Sequence, residues 1–238
     1  DTMDFVLRGH AALADQRTKE SKRFFERALG LDAKSVPGLL GVAYLSSDAE
    51  MDELTQQAVR TDPMCADSWV ARAEILSRQG QSKAAREALD RSLHITPANV
   101  SALYERDRQL MSEGHWDAVI RPLDEIEFEF AAPYLASMLG TQCRARLLAE
   151  QNADRACDKW YAASGKQISL AFATAAAARN GSVEEAANAG ARLKARYPDL
   201  TIVALRQESA SDLYSNRYRD RLESVVYPLV RKAGIPEK

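Results

Sequence analysis

Few residues in this sequence have the types and spacing that catalysis requires. Gly165-Lys166 is the nearest approach to a phosphate-binding loop, but Gln167 follows where the loop needs Ser or Thr. The glycine expected five residues before Gly165 is replaced by Trp160. The chain also lacks the Gly-x-Gly-x-x-Gly, His-Glu-x-x-His and Gly-x-Ser-x-Gly motifs. We therefore predict a protein that is not an enzyme.

The histidines do not form a metal-binding pattern. His10, His94 and His115 are widely separated, and none has a second His or Cys at the spacing that zinc sites use. We interpret His115 as a turn residue. His94 is expected near a helix end, where a cationic ring interacts favourably with the helix dipole. The sequence thus predicts neither a metal nor a cofactor.

The cysteines are too few and too scattered for a disulfide framework. Cys143 and Cys157 flank a predicted turn near Gln151 at similar distances, so two antiparallel helices would bring them together. The interpretation that we favour is a pair of buried thiols, packed as small apolar side chains. The alternative is a disulfide, which requires an oxidising compartment.

Composition indicates a helical protein and excludes several partners. The 238 residues include 40 alanines against 11 glycines and 8 prolines, and alanine is the best helix former. Lys and Arg number 32 against 34 Asp and Glu, which leaves no excess charge to neutralise nucleic-acid phosphates. No stretch approaches the roughly 18 apolar residues that a membrane span needs, so we expect no direct membrane insertion.

Glycine and proline recur at a fixed interval. Pro63 and Pro97 lie 34 residues apart, and so do Gly80 and Gly114. Each proline ends a helical run, and each glycine is expected at a turn. This arrangement predicts a repeated unit made of a helix, a glycine turn, a second helix and a proline-marked link.

Residues 66–99 resemble a tetratricopeptide repeat in both spacing and residue type. The matching residues are Trp69, Ala73, Gly80, Ala85, Leu89 and Pro97. Small side chains at Ala73 and Ala85 allow two antiparallel helices to approach closely, while Trp69 and Leu89 fill the space beside them.

The same template extends along the chain. It gives units at 2–35, 36–65, 66–99, 100–136, 137–166 and 167–200, with a C-terminal capping pair at 201–238. The resemblance implies an all-α fold, a right-handed α-solenoid of about seven antiparallel helix pairs that forms a single domain over 1–238. Pro122 is expected to interrupt the second helix of the fourth unit.

Motifs at the two ends of the chain indicate which group of tetratricopeptide proteins it resembles. Residues 4–9 and 218–222 are similar to the ends of the tetratricopeptide segment attached to bacterial class III adenylate cyclases and CadC-type winged-helix regulators. This resemblance implies the regulatory or assembly part of a bacterial signalling protein. Because the chain starts at Asp1 without an initiator Met, we expect an excised or processed piece.

The resemblance also assigns candidate binding residues. In the family, a partner protein or peptide lies in the concave groove and contacts the second, fifth, ninth, twelfth and thirteenth positions of each unit. Carried onto this sequence, these positions give Tyr44, Val70, Glu74, Arg78, Tyr104, Arg108, Met111, Thr141 and Arg179. Two aromatic rings with two arginines would suit an acidic or aromatic-containing segment.

The groove positions of the sixth unit are mainly small. They are Ala171, Ala175 and Ala178, beside Arg179, and they suggest apolar contact or tight packing against a neighbour. The main functional hypothesis is a non-catalytic interaction domain. Two alternatives are direct control of an attached nucleotide cyclase and homo-oligomerisation alone. We expect a cytoplasmic location, with the periplasm as the alternative.

Overall fold

The computed structural model of the chain describes residues 1–129, 134–209 and 215–238. These residues fold into α-helices joined by short turns, and none of them is in a β-strand. The predicted all-α class is confirmed. The helices form two compact units, residues 1–106 and residues 107–238, and the division falls within one helix.

The N-terminal unit consists of three helical hairpins followed by the start of a seventh helix. Its helices are α1 (Thr2–Ala14), α2 (Thr18–Leu31), α3 (Val36–Ala43), α4 (Asp48–Thr61), α5 (Ala66–Arg78), α6 (Ser82–Ile95) and α7 (Val100–Glu113). Within each hairpin the two helices pack on each other. The first helices also touch, because α3 contacts α1 on one side and α5 on the other.

Local sequence explains where these helices begin and end. Gly80 follows α5 with a φ of 73°, and Gly114 follows α7 with a φ of 84°. Positive φ is favourable for glycine because it has no Cβ, so both glycines of the 34-residue interval stand where the chain must turn. Ser47 begins α4, since its hydroxyl accepts a hydrogen bond from the backbone N–H of Glu50.

Close backbone approach around one aromatic ring organises the first two hairpins. Phe25 is fully buried, and its ring lies against Gly9 of α1 and Gly41 of α3. A Cβ on Gly9 would lie 2.7 Å from the ring, and one on Gly41 would lie 2.4 Å from it. Glycine at both positions therefore makes room for a large side chain where three helices meet.

The C-terminal unit begins with the rest of α7 and is less regular. Its further elements are α8 (Trp116–Val119), α9 (Leu123–Glu129), α10 (Tyr134–Leu148), α11 (Asp154–Ser164), α12 (Gln167–Asn180), α13 (Val183–Arg196), α14 (Ile202–Ser209), α15 (Asn216–Arg221), a π-helical turn (Leu222–Val226) and α16 (Tyr227–Lys232). The hairpins α10/α11 and α12/α13 pack on each other through contacts between α11 and α12.

Proline interrupts this unit where the sequence predicts it. The helix α8 ends at Val119, and α9 begins directly after Pro122. Asp107 stands at the eighth position of the unit 100–136, where the unit 66–99 has the small residue Ala73. It is buried and forms an ion pair with Arg121 across 2.6 Å. The next helix begins at Tyr134, three residues before the predicted unit boundary at 137.

Cys143 and Cys157 are not separate thiols, so the interpretation that we favoured is wrong. They form a disulfide between α10 and α11, with their Cα atoms 4.7 Å apart, and both side chains are fully buried. The hairpin explains the pairing, because residues at similar distances on either side of its turn lie opposite each other. Cys65, in the N-terminal unit, is a free cysteine.

Candidate functional site

One surface of the N-terminal unit is formed by the first helix of each hairpin. Residues three, four or seven apart on a helix share a side, so each of α1, α3 and α5 contributes one stripe. We call this surface the first-helix face; it comprises Met3, His10, Leu13, Pro37, Leu40, Tyr44, Asp67, Glu74 and Arg78, together with Asp48, the first residue of the second helix α4, which pairs with Arg78. The contacts of α3 with α1 and α5 place the three stripes side by side.

The part of this face on α1 and α3 is apolar apart from His10, and it is open to solvent. Met3 is 55% exposed, Tyr44 47% and Leu13 41%. Single exposed apolar residues are common on proteins, but several on adjoining helices make a patch of the kind that binds partners. This part of the face can therefore bury apolar area against another surface.

The part of the face on α5, with Asp48 at the start of α4, is charged and internally paired. Arg78 forms ion pairs with Glu74, one turn earlier, and with Asp48, where the Nη1–Oδ1 distance is 3.0 Å. Asp67 accepts a hydrogen bond from Asn99 Nδ2 at 2.9 Å. Among these four charged residues there are three carboxylates and one guanidinium, which sum to a net charge of −2.

The structure places the predicted binding residues of the N-terminal unit in two environments. Tyr44, Glu74 and Arg78 lie on the first-helix face, and Tyr104 is half-buried on α7. Val70 is only 4% exposed. The assignment of Val70 as a partner contact needs correction, because its side chain packs in a core cluster with residues of α5, α6 and α7.

The predicted residues of the C-terminal unit are mostly covered. Met111 and Thr141 are buried, and Thr141 Oγ1 donates to the carbonyl of Ser137 within its own helix. Arg108 is half-buried, while Arg179 is largely buried and faces Glu150 at 3.6 Å. Met111 and Thr141 therefore also need correction as partner contacts.

Burial at these positions has a structural cause. The helix α10, which carries Thr141, is in contact with α8, α9, α11, α12 and the π-helical turn, so it is covered on several sides. Met111 directly precedes Ser112, and Ser112 forms hydrogen bonds with Ser215, the residue before α15. The chain itself thus occupies space that a partner would need.

The C-terminal segment, residues 215–233, crosses the ends of three first helices. Ser215 N donates to Ser112 Oγ of α7 at 3.1 Å. Arg221 Nε donates to the carbonyl of Leu148, the last residue of α10, at 3.0 Å, and Lys232 Nζ donates to the carbonyl of Ala178 in the last turn of α12 at 2.9 Å. Carbonyls in the last turn of a helix lack an intrahelical partner, and this segment supplies donors to them.

An apolar side of the same segment packs inward. Tyr218, Leu222, Val226 and Val230 are buried, and the ring of Tyr218 lies 6.3 Å from that of Trp116, centroid to centroid. The helix α16 packs on α12. Sequence alone suggested a neighbour for the small side chains of that helix.

That neighbour is the chain's own C-terminal helix. Ala171, Ala175 and Ala178 are all buried, and Ala178 clusters with Leu229 and Ala233. Small residues on α12 let the two helices approach closely. The C-terminal segment is therefore a helical part of the chain that packs on the first helices of its own unit.

The π-helical turn within this segment has a local explanation. The N–H of Tyr227 donates to the carbonyl of Leu222, five residues earlier. Pro228 has no N–H, and its ring would clash with the carbonyl four residues before it in a regular α-helix. A wider turn before Pro228 relieves that clash and lets the segment continue as a helix.

A crevice between α11, α12 and α13 is a further concave feature with charged walls. Its volume is about 680 Å³, and its lining includes Asp154, Asp158, Arg192 and Arg196. Burial and the nearby charge of Asp154 raise the pKa of Asp158, and Arg192 opposes that shift. Its charged lining residues do not include a nucleophile paired with a base.

The described parts of the chain hold no cluster of three or more His, Cys, Asp or Glu residues arranged to bind a metal ion. Over the same residues, no helix has both the length and the apolar character needed to cross a bilayer.

Comparison with known proteins identifies the fold. Residues 66–99 match the family model of the tetratricopeptide repeat. The structure of PilW, described as a type IV pilus biogenesis factor, has a TM-score of 0.68 at 19% identity, and the match covers 84% of this chain and 94% of PilW. Pseudomonas aeruginosa PilF has a TM-score of 0.64 at 17% identity, with 88% and 96% covered.

A further solved structure shares the same architecture. The Cut9–Hcn1 hetero-tetramer of the APC/C gives a TM-score of 0.70 at 12% identity, and the match covers 94% of this chain and 42% of that one. No curated protein sequence matches this chain. At such low identities the likeness concerns the fold, and it confirms the predicted tetratricopeptide-like solenoid class.

Proposed function

We propose that this tetratricopeptide-like chain is a non-catalytic protein-interaction module whose first-helix face binds a segment of a partner protein. The fold supports an interaction or assembly role, since stacked helical hairpins present extended surfaces to partners. PilW and Cut9–Hcn1, which share the fold, are described as a pilus biogenesis factor and as part of the APC/C.

One observation supports this proposal most directly. In the C-terminal unit, the first helices α7, α10 and α12 already hold a helical segment of the same chain. In the N-terminal unit, the first helices expose Met3, Leu13 and Tyr44. The first helices of the N-terminal unit thus present to another protein the kind of surface that, in the C-terminal unit, is covered by a segment of the same chain.

Site-specific photocrosslinking tests the proposal. A benzophenone amino acid in place of Tyr44 is expected to yield a discrete crosslinked protein in cells, because residue 44 is exposed on the face. The control is the same substitution at Glu53, an exposed residue of the second helix α4. Equal crosslinking at both positions, or none at Tyr44, would contradict binding at the first-helix face.

We further propose that the module belongs to a bacterial signalling protein, as its terminal motifs suggest. Removal of residues 1–238 from the full protein is then expected to change the regulation of the attached cyclase or winged-helix domain. Unchanged regulation would leave the chain as an interaction module outside signalling. A concentration-dependent mass in light scattering would favour the alternative, homo-oligomerisation.

The disulfide bears on the compartment. The cytoplasmic expectation depended on the lack of a disulfide framework, but Cys143 and Cys157 are bonded. Disulfides persist mainly in oxidising compartments, which supports the periplasmic alternative. Because Cys143 and Cys157 are buried in the folded protein, alkylation after rapid acid denaturation of the cells, with and without prior reduction, tests this proposal. Modification of all three cysteines without reductant would instead favour the cytoplasm.

A further inference from the structure

The bound C-terminal segment shows which chemistry suits the ends of first helices. Arg221 reaches the last carbonyl of α10 and also forms an ion pair with Glu150, at 2.7 Å. Lys232 reaches the end of α12. The C-terminal end of a helix carries partial negative charge, so cationic side chains are favoured there. Apolar residues on the same segment fill the space between these contacts.

The first-helix face of the N-terminal unit has a net negative charge, which complements cationic side chains of this kind. Glu74 and Arg78 lie at the end of α5, and Asp48 follows α3 closely. Because Arg78 is held by both carboxylates, it is not an unpaired cation that would attract an acidic segment. With Asp67 included, the net charge of the four groups is −2, one positive against three negative. The charge therefore favours a basic partner.

The apolar part of the face lies beside this charged part. Tyr44 on α3 is about half exposed, and Met3 and Leu13 on α1 are exposed to a similar degree. A partner that fits both parts needs an apolar side and a cationic side. An amphipathic helix provides both on one short segment.

We propose that the occupant of the first-helix face is an amphipathic helix of a partner protein, with Leu-like residues against α1 and α3 and Lys or Arg against Asp48 and Glu74. The inference rests on the proposed function and specifies its partner chemistry. In the bound C-terminal segment, Arg221 and Lys232 are eleven residues apart and reach the ends of adjacent first helices. A helix that spans three first helices in this way needs about 20 residues, or about 30 Å.

Two designed peptides provide the probes. Both have 20 residues with leucine at the apolar helical positions, and they differ only in carrying lysine or glutamate on the polar side. Each is labelled with a fluorophore and titrated with the full chain, and binding is measured by fluorescence anisotropy at low and at physiological salt. We expect the lysine peptide to bind more tightly than the glutamate peptide, and to weaken as salt rises.

Matched variants locate the site. The double variant Asp48→Asn/Glu74→Gln removes two carboxylates from the face and leaves Arg78 without its partners, so we expect affinity for the lysine peptide to fall about three- to tenfold. The control Glu26→Gln/Glu53→Gln removes the same charge from the exposed second helices α2 and α4 and should change affinity less than twofold. Tyr44→Ala is expected to weaken binding of the lysine peptide as well.

The outcomes separate the two proposals. A lysine peptide that fails to bind at about 1 mM, or that weakens equally with the control variant, overturns the inference of a basic helix. Tighter binding of the glutamate peptide, reduced by Tyr44→Ala, also overturns it but leaves the first-helix face as a binding surface. Loss of specific crosslinking at position 44 would overturn the proposed function itself.

Discussion

Lys232 donates a hydrogen bond from Nζ to the carbonyl oxygen of Ala178, 54 residues earlier in the chain, across 2.9 Å. The acceptor belongs to a fully buried alanine of α12, and the donor is in the last turn of the C-terminal helix. Together with the contacts of Arg221 and Ser215, this bond makes the C-terminal segment an integral part of its unit.

Gly190 provides a direct test of how closely this segment packs. A Cβ at Gly190 would lie 1.7 Å from the carbonyl oxygen of Ala233, so Gly190→Ala must displace the end of α16. We expect a loss of about 1–3 kcal/mol in the free energy of unfolding, measured by urea denaturation with Trp116 fluorescence.

The control for that variant is Gly30→Ala. Gly30 lies on α2, and no atom would lie within 4 Å of an added Cβ. Since alanine restricts the unfolded chain and favours helix, this change should stabilise the N-terminal unit by about 0.5–1 kcal/mol. A Gly190→Ala protein that is as stable as the wild type, or is stabilised as Gly30→Ala is, would contradict the close contact at Ala233.

The packing of Phe25 against Gly41 predicts a coupled pair of substitutions. Gly41→Ala forces a methyl group against the Phe25 ring and should cost about 1–3 kcal/mol. In a Phe25→Leu background the same change should cost less, because the smaller side chain leaves room. A double-mutant cycle followed through Trp69 fluorescence measures the difference, and strictly additive effects would argue against direct contact.

Reduction of the disulfide should destabilise the C-terminal unit selectively. Cys143 and Cys157 are 14 residues apart, and closure of a loop of that length contributes about 3 kcal/mol. We expect dithiothreitol to lower the urea midpoint reported by Trp160, and the Cys143→Ala/Cys157→Ala protein to be insensitive to it. Cys65→Ala is the matched control and should retain full sensitivity.

The ion pair between Asp52 and Arg72 predicts a pH dependence of the N-terminal unit. The hydrogen bond from Arg72, with burial opposing it, lowers the pKa of Asp52 below its usual value. A lowered pKa in the folded state stabilises the protein above the ordinary carboxyl pKa of about 4, and this stabilisation is lost as the pH falls through the lowered value. It should be complete at neutral pH.

The variant Asp52→Asn isolates this contribution. At pH 7 it should unfold with about 1 kcal/mol less free energy than the wild type, because the side chain of Asp52 is only 26% exposed. The difference should shrink towards zero as the pH falls below about 4. Thermal unfolding at a series of pH values provides the measurement, and a constant difference would rule out the ion pair as its cause.

Features fixed by local spacing could be predicted from the sequence. The turn glycines Gly80 and Gly114 and the break at Pro122 depend on backbone properties of single residues, and they occur where expected. Exposure at individual positions depends on tertiary neighbours. Val70 and Tyr44 occupy family binding positions, yet one packs into a cluster that extends to α7 and the other remains exposed.

Contacts between distant segments were beyond sequence reasoning. The small residues of α12 indicated a close neighbour, but no pattern identified residues 215–233 as that neighbour. The bond of Ser215 with Ser112 joins positions 103 residues apart. The spacing of Cys143 and Cys157 about a turn predicts that they can meet, but it does not distinguish two buried thiols from a disulfide.

The C-terminal segment also limits the number of repeats that its unit can contain. Solenoid proteins commonly lengthen or shorten by gaining or losing whole repeats, because each repeat contacts only its neighbours. Here Ser215, Arg221 and Lys232 must meet α7, α10 and α12 in one fixed register. An inserted or deleted hairpin between those helices would misalign every contact, so the number of repeats in this unit is constrained by the length of the helix that closes it.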